Sequence, residues 1–323
     1  MTLHPAPFHA DVAKGPESGT AHWVMTQDGV RIRVAHWRAA EEKGTVLMFP
    51  GRTEYVEKYG RAAGEFAQRG YAMLAIDWRG QGLADRLIDD RAAGYVTAFT
   101  DYQTDIAAAL DAAAALDLPK PYFLIGHSMG GCIGLRAVMS GLPVNAAVFS
   151  APMWGILMSA VTRPAAWAMS WGSKRTGMGH KLAPGTKPET YVLAEPFQGN
   201  TLTRDPEMYR YMQDQVGTYP DLALGGPSLH WLHEALTEMR DLARRPAPDL
   251  PCTTFLGDNE QIVDPARIHQ RMASWPGGTL ELLKDGEHEV MMEVPETRRY
   301  VFDTSAALFD SHLNNGSAHR ASA

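Results

Sequence analysis

The chain has few cysteines. Cys132 and Cys252 are the only two among 323 residues. Two thiols cannot form the disulfide framework of a small secreted domain, so we expect both to be buried as small apolar side chains in a reducing compartment. The first fifteen residues also lack the basic start and apolar core of a signal peptide. These features predict a cytoplasmic protein.

Positive charge is scarce as well. Lysine and arginine number 30 against 37 aspartates and glutamates, which gives a formal net charge of -7. An acidic chain without a basic stripe lacks the electrostatic footprint of nucleic-acid binding. Hydrophobic residues make up 45% of the sequence, so a chain of this length can bury a large core.

The sequence contains no clean membrane-spanning stretch. Residues 137–162 carry no charge and are long enough to cross a bilayer. Gly141, Pro143 and Pro152 interrupt them, however. These breakers predict a helix end, a turn, a short buried strand at 146–150 and a loop.

Short apolar runs alternate with helix-forming segments along most of the chain. The runs that predict strands are 45–49, 71–76, 122–125, 146–149, 252–256 and 279–283. The segments that predict helices are 55–69, 105–116, the stretch after Ser128, 265–274 and 295–313. This alternation predicts an α/β fold with a doubly wound, mostly parallel sheet. Residues 21–26 and 30–37 predict an antiparallel hairpin at its edge.

Residues 151–245 break this rhythm. They are rich in methionine, tryptophan, proline and glycine, with helical periodicity at 206–216 and 229–242. We interpret them as a helical cap inserted between two parts of the sheet domain, at 1–150 and 246–313. Residues 314–323 are expected to be a disordered tail.

A serine between glycines stands at the turn from a strand to a helix. The sequence Gly126-His127-Ser128-Met129-Gly130 follows the apolar run 122–125. This G-x-S-x-G pattern in that context predicts a nucleophile elbow, in which glycines allow strand and helix to pass closely and the serine hydroxyl is lifted above the sheet. Ser128 is therefore the predicted nucleophile.

A serine nucleophile requires a base and an orienting acid. In this fold they follow the serine in the order acid, histidine, on loops after later strands. The loop after 279–283 contains His288, the predicted base. The loop after 252–256 offers three acids, Asp258, Glu260 and Asp264. Asp264 precedes Pro265 and could instead cap the following helix.

An oxyanion hole requires two backbone N–H groups that face the developing charge. One is expected from Met129, directly after the nucleophile. The other is expected from Arg52, in the loop Pro50-Gly51-Arg52 that follows the strand 45–49.

Together, the motifs FPGRTE, DWRGQG, GHSMGG, GDNEQIVD and GEHEVMME resemble the α/β-hydrolase superfamily, and within it the monoacylglycerol lipase and bacterial lysophospholipase branch. The resemblance covers about 45–310 and implies Glu260 as the triad acid, three residues after the glycine that ends the strand. It also implies lysophospholipid or monoacylglycerol esters as substrates. Two positions depart from the family pattern, because Pro50 replaces a histidine and Ala84 a serine.

The cap is expected to bind the acyl chain. Met153, Trp154, Trp167 and Trp171 are the predicted substrate-binding residues, and the basic, tryptophan-rich segment that holds them predicts a weak peripheral membrane contact. No motif implies a cofactor or a metal. Other hypotheses are an esterase or peptidase on small non-lipid substrates, and a catalytically silent ligand-binding homologue.

Overall fold

One mixed sheet organises the molecule. A computed structural model describes residues 3–314 and places nine strands within them. The strands are β1 (His4–Pro5), β2 (Thr20–Met25), β3 (Arg31–Trp37), β4 (Gly44–Phe49), β5 (Tyr71–Asp77), β6 (Tyr122–His127), β7 (Ala147–Ser150), β8 (Cys252–Gly257) and β9 (Gly278–Leu283).

The order of strands across the sheet is β1-β2-β3-β5-β4-β6-β7-β8-β9. From β5 to β9 all neighbours are parallel, whereas β1, β2 and β3 join at one side in antiparallel pairs. The doubly wound, mostly parallel sheet predicted from the sequence is therefore confirmed, as is the antiparallel hairpin, which forms β2 and β3.

Ten α-helices lie within the same described residues. They are α1 (Ala10–Ala13), α2 (Gly60–Gln68), α3 (Tyr102–Ala115), α4 (Met129–Met139), α5 (Thr162–Arg175), α6 (Tyr191–Ala194), α7 (Pro206–Thr218), α8 (Leu229–Leu242), α9 (Pro265–Met272) and α10 (Pro295–Asp310). The helix expected at 55–69 is shorter than predicted. Its first residues, Val56–Tyr59, form a 3₁₀ turn, and the Val56 N–H donates to the Asp77 carboxylate at 2.8 Å.

The sheet is buried on both faces because alternate residues of its central strands point to opposite sides. Leu47 and Leu124 pack with Ile133 of α4 in one apolar cluster. Val46 and Phe123 belong to a second cluster on the other face, which includes side chains of α2 and α10.

Between β7 and β8 the chain adopts helices α5 to α8. Two of them, α7 and α8, match the helical periodicity found in the sequence, while α5 was not predicted as a separate helix.

Residues 137–162 form the end of α4, a turn, β7 and a loop, as predicted. Across 3–314, no helix combines the length and apolarity needed to cross a membrane. Cys132 and Cys252 are buried free thiols.

The topology places the predicted site residues at one edge. Because β4, β6, β8 and β9 run parallel, the loops after their carboxyl ends meet at the same edge of the sheet. Those four loops hold the predicted oxyanion loop, the serine, the acid and the histidine. Of the predicted tail, residues 315–323 lie outside the described part of the chain.

Candidate active site

Ser128 occupies a strained turn between β6 and α4. Its backbone has φ 48° and ψ −116°, a conformation that side-chain-bearing residues rarely adopt. Its N–H donates to Ser150 O at 3.0 Å, which fixes the turn to the neighbouring strand. The residue is 9% exposed and lines a large cavity. The structure thus presents the Ser128 side chain to a cavity at the carboxyl edge of the sheet.

Close backbone approaches explain the glycines beside Ser128. A Cβ at Gly130 would lie 1.9 Å from Phe49 O, and one at Gly126 would lie 2.9 Å from Gly130 O. Neither gap admits a side chain, since carbon and oxygen atoms that are not bonded do not approach so closely. Glycine at these two positions lets α4 begin directly against β4 and β6.

His288 lies at the same cavity and is held by Glu260. The Nδ1 atom of His288 is 2.7 Å from Glu260 Oε2, and the imidazole is almost fully buried. The other carboxylate oxygen of Glu260 accepts the N–H groups of Ile262 at 2.6 Å and Val263 at 3.0 Å. Burial alone would raise the pKa of Glu260, but His288 and these N–H groups together hold it below its ordinary value.

The two other candidate acids lie elsewhere. Asp264 is the N-cap of α9, and its side chain accepts the Ala266 N–H at 3.1 Å and an Arg163 N–H at 3.1 Å. The helix-capping alternative for Asp264 is confirmed. Asp258 is exposed. Glu260 is the one of the three whose carboxylate contacts His288.

The loop after β4 is anchored by the next motif along the chain. The Trp78 indole N–H donates to Pro50 O at 2.9 Å, and the Gln81 amide donates to Gly51 O at 2.8 Å. These bonds explain why DWRGQG accompanies FPGRTE in the sequence. Of the two residues expected to form the oxyanion hole, Met129 directly follows Ser128 and begins α4, and Arg52 lines the same cavity as Ser128. The first N–H groups of a helix have no helical partner.

Gly51 provides a test of the proposed oxyanion hole. A Cβ there would lie 3.0 Å from the Glu54 carboxylate, whose oxygen accepts the Gly51 N–H. Gly51→Val is therefore expected to displace the loop and to lower kcat about 10²- to 10³-fold, the cost of losing one oxyanion donor. Arg52→Ala, which keeps its N–H, is expected to retain measurable turnover. Near-normal kcat for Gly51→Val on a chromogenic ester would remove Arg52 as a donor.

Sequence reasoning missed a buried charge cluster under this site, formed by Glu54, Lys58, His127 and Glu289. The Lys58 ammonium pairs with Glu54 and, at 2.5 Å, with Glu289. His127 Nε2 lies 3.3 Å from Glu289 Oε2 and 3.5 Å from Glu54 Oε1. One feature of the sequence could have revealed two members of the cluster, because His127 and Glu289 each neighbour a predicted triad residue.

Lys58 and the imidazole of His127 face the two carboxylates of this cluster. His127 Nδ1 lies 3.1 Å from Ser150 O and 3.0 Å from Ser150 Oγ. Burial alone would lower the pKa of His127, but Glu289 and Glu54 outweigh that effect and raise it. The ligand atoms of Glu54, His127 and Glu289 lie within 4.8 Å of one another. Lys58 already pairs with both carboxylates, so the geometry alone does not make a metal site.

Lys58→Met tests what the cluster contributes to stability. The substitution leaves two carboxylates buried near each other with one cation fewer, so we expect the free energy of unfolding to fall by about 3–5 kcal/mol. Lys43→Met is the matched control, because the Lys43–Asp310 pair is 45% exposed at both ends and is expected to contribute at most about 1 kcal/mol. Urea unfolding of both variants measures the difference. Equal losses would contradict an energetic role for the cluster.

The cavity above Ser128 and His288 has a volume of about 640 Å³ and is largely apolar. Met153 lines it, as predicted from the sequence. Other apolar side chains along it are Ile156, Met158, Met169, Met212, Val216, Trp231 and Leu232. Its size lies within the range of small-molecule sites, and its flexible methionines suit an extended apolar ligand.

The three predicted tryptophans do not line this cavity, so their assignment as substrate-binding residues is corrected. Trp154 is buried in the core against Phe149, and its indole N–H donates to Gly131 O at 3.2 Å. Trp167 packs against α8, where its ring lies 4.5 Å below the Arg240 guanidinium. Trp171 is 53% exposed.

Helical spacing explains why the two tryptophans of α5 do not line the cavity. Ala165, Ala166 and Met169 share the face that borders the cavity. Trp167 and Trp171 are four residues apart and lie on another face of the same helix. The sequence reveals the apolar content of this segment, but which face of α5 meets the cavity depends on its packing against α8.

Known proteins resemble this chain over most of its length. The family Hydrolase_4, described as serine aminopeptidase, S33, matches residues 40–295. Lysophospholipase L2 of Escherichia coli strain K12 is 28% identical over 302 residues, which is 91% of this chain and 88% of that protein. A probable lysophospholipase L2 of Haemophilus influenzae is 27% identical over 258 residues, or 79% of this chain and 80% of that protein.

Among solved structures, a soluble variant of monoglyceride lipase from Saccharomyces cerevisiae, in complex with a substrate analog, has a TM-score of 0.72. It is 20% identical and covers 96% of this chain and 99% of its own. At this identity the likeness concerns the fold. Together with the family match it confirms the predicted α/β-hydrolase fold and the resemblance to its lysophospholipase and monoacylglycerol lipase branch.

Proposed function

The chain belongs to the family Hydrolase_4, serine aminopeptidase, S33, and is a serine hydrolase of carboxylic esters, and we propose that it cleaves long-chain lysophospholipids or monoacylglycerols. The observation that carries the proposal is the apolar cavity of about 640 Å³ above Ser128 and His288. A long acyl chain supplies the apolar surface that such a cavity buries.

The proposed mechanism begins with Ser128 as nucleophile. Because Nδ1 of His288 faces Glu260, its Nε2 is left to accept the Ser128 proton as Oγ attacks the ester carbonyl. The carboxylate of Glu260 keeps the imidazole in that tautomer and stabilises the imidazolium that forms. The N–H groups of Arg52 and Met129 would bind the oxyanion.

Collapse of the tetrahedral intermediate expels the glycerol oxygen, which takes the proton from His288. The fatty acid remains as an ester on Ser128. Water then attacks this acyl-enzyme, with His288 again as base, and releases the free fatty acid.

A substrate panel tests this function. We expect the highest kcat/KM for long-chain lysophosphatidylcholine or monoacylglycerol and much lower values for p-nitrophenyl acetate and butyrate. The physical reason is that each additional buried methylene contributes about 0.8 kcal/mol of binding. Faster turnover of acetate than of any long-chain ester, at equal concentrations below the critical micelle concentration, would contradict the proposal.

The family description favours a second candidate, an aminopeptidase. Such an enzyme must hold the free amine of its substrate with an unpaired carboxylate. Apart from the proposed catalytic groups, the acids bordering the described cavity are Glu54 and Glu289, and both are paired with Lys58. Leucine p-nitroanilide belongs in the same panel, and its hydrolysis at a rate comparable to that of the lipid esters would favour the peptidase.

We also propose that residues 151–245 act as a cap with a membrane-facing surface. Five of the nine large hydrophobic side chains exposed in the described chain lie between 157 and 178. They are Leu157, Val161, Met169, Trp171 and Met178; Met169 borders the cavity, so the other four form the proposed surface. Residues 151–188 contain no acid and five basic residues, which are Arg163, Lys174, Arg175, Lys181 and Lys187. Exposed apolar and basic groups together suit a weak contact with anionic lipid.

Trp171→Ala tests this surface. The indole lies 3.5 Å below the Arg175 guanidinium, and its loss is expected to weaken binding to anionic vesicles about tenfold. Trp23→Ala is the control. Trp23 lies on strand β2, outside the cap, and an arginine also lies over its ring, with the Arg31 guanidinium 4.2 Å from the ring centre. Vesicle sedimentation that shows equal binding for both variants would contradict the membrane contact. The cytoplasmic location stays a prediction.

A further inference from the structure

The side chain of Arg52 is a cation without a carboxylate partner in the cavity. The charged side chains that line the cavity are Arg52, Glu54, Lys58, His288 and Glu289. The last four are engaged in the ion pairs described above. Within residues 3–314, no aspartate or glutamate lies within ion-pairing distance of Arg52.

Among residues 3–314, the Arg52 guanidinium makes one hydrogen bond. Nη1 donates to Gly225 O at 2.7 Å, and the group lies 5.7 Å from the centre of the Trp231 ring. A guanidinium presents several N–H donors in a planar fork, and Arg52 lines the cavity, so donors that do not bond Gly225 O can reach a ligand there. Burial lowers the pKa of Arg52 to about 10, which still leaves it charged at neutral pH. Arg52 is half-buried, and a cation partly withdrawn from water without a counter-ion carries a cost that a ligand anion would relieve.

On the basis of the proposed ester hydrolysis, we propose that the Arg52 guanidinium binds the phosphate diester of a lysophospholipid and makes this chemistry preferred over the neutral head of a monoacylglycerol. Arginine suits this role because its fork matches two phosphate oxygens at once.

Arg52 carries two groups that correspond to the ester and the phosphate of a lysophospholipid. The backbone N–H of Arg52 is the proposed donor to the ester carbonyl oxygen, and its side chain extends from that same residue. In a lysophospholipid, the glycerol backbone alone separates the scissile ester from the phosphate. One residue can therefore contact both groups. A monoacylglycerol offers only a hydroxyl at the position of the phosphate.

The experiment compares two substrates with the same acyl chain, lysophosphatidylcholine and monoacylglycerol, as monomers. The readout is the ratio of their kcat/KM values, in which any effect on the shared acyl-transfer chemistry divides out. For Arg52→Met we expect the ratio to fall about 10- to 100-fold, because hydrogen bonds to charged groups are lost. Arg52→Lys is expected to recover part of the ratio, since it restores the charge without the fork.

Arg86→Met is the matched control. Burial also lowers the pKa of Arg86 to about 10, and its guanidinium bonds backbone carbonyls, yet it does not line the cavity. Its substitution is expected to leave the ratio unchanged. A ratio that stays constant in Arg52→Met would overturn the inference, and so would an equal change in Arg86→Met.

A binding measurement separates phosphate recognition from a purely structural role of Arg52. Glycerophosphocholine is expected to inhibit the wild type competitively and glycerol is not, and Arg52→Met is expected to lose this difference. Equal inhibition of both proteins would show that Arg52 only links the loop to Gly225. If the wild type hydrolysed neither lipid, the proposed ester hydrolysis itself would be wrong. Normal hydrolysis of both lipids with an unchanged ratio in Arg52→Met would instead contradict only the role of Arg52.

Discussion

Ser128→Ala and His288→Ala are each expected to lower kcat for a lysophospholipid by about four or more orders of magnitude. Triad members act as a unit, so removing either one abolishes nucleophile activation, and the residual rate comes from binding and the oxyanion hole. Ser128 is held at φ 48° by its neighbours. Because alanine keeps that backbone, a lost rate would report a lost hydroxyl.

Ser140→Ala is the control for this pair, because Ser140 is exposed at the far end of α4. It is expected to keep wild-type kcat and a wild-type unfolding midpoint. Substantial turnover in purified Ser128→Ala would contradict its assignment as nucleophile.

The second large effect concerns the acid. Glu260→Gln is expected to lower kcat about 10³- to 10⁴-fold, because an amide can stabilise the wrong tautomer of His288 and cannot stabilise its imidazolium. The 2.7 Å contact between His288 Nδ1 and Glu260 Oε2 carries this expectation. The substitution is nearly isosteric, so the protein should remain folded.

Asp264→Asn is the comparison, and it is expected to keep activity. Asparagine is itself a good N-cap, so its cost is expected to be well under the ~1 kcal/mol typical of losing a cap to alanine. Urea unfolding and ester turnover measured on both variants separate the two acids. A normally folded Asp264→Asn that is inactive, beside an active Glu260→Gln, would exchange their roles.

The fold was predictable from the sequence because its signals are local. The apolar runs of β4 and β6 alternate with helical segments, and buried parallel strands leave few other arrangements. The elbow was predictable for the same reason, since Gly126, Ser128 and Gly130 are close in sequence. Even the N-cap at Asp264 was visible in its neighbour Pro265. Each of these features depends on residues that are only a few positions apart.

Features that depend on long-range packing were not predictable. The charge cluster joins Glu54 and Lys58 to Glu289, which is distant in sequence, and the segments after β4 and β9 bring them together. The cap shows the same limit. Trp167 and Trp171 were expected in the substrate site because of their residue type, whereas the packing of α5 on α8 turns the face with Met169 toward the cavity.

The buried cluster also explains why the motifs FPGRTE and GEHEVMME occur together. Glu54 accepts the Gly51 N–H, and Lys58 joins it to Glu289, beside His288. The loop proposed to stabilise the oxyanion is thereby tied to the loop with the proposed base. A site whose parts are held by such a network is pre-organised before substrate binds.

Labelling with a fluorophosphonate shows directly whether Ser128 is an activated nucleophile. The protein is incubated with a long-chain fluorophosphonate, digested, and analysed by tandem mass spectrometry. We expect a single adduct on Ser128, whose formation is abolished by Ser128→Ala and strongly slowed by His288→Ala, since only an activated serine displaces fluoride. A wild-type protein that stays unlabelled, or an adduct on another residue, would contradict the account.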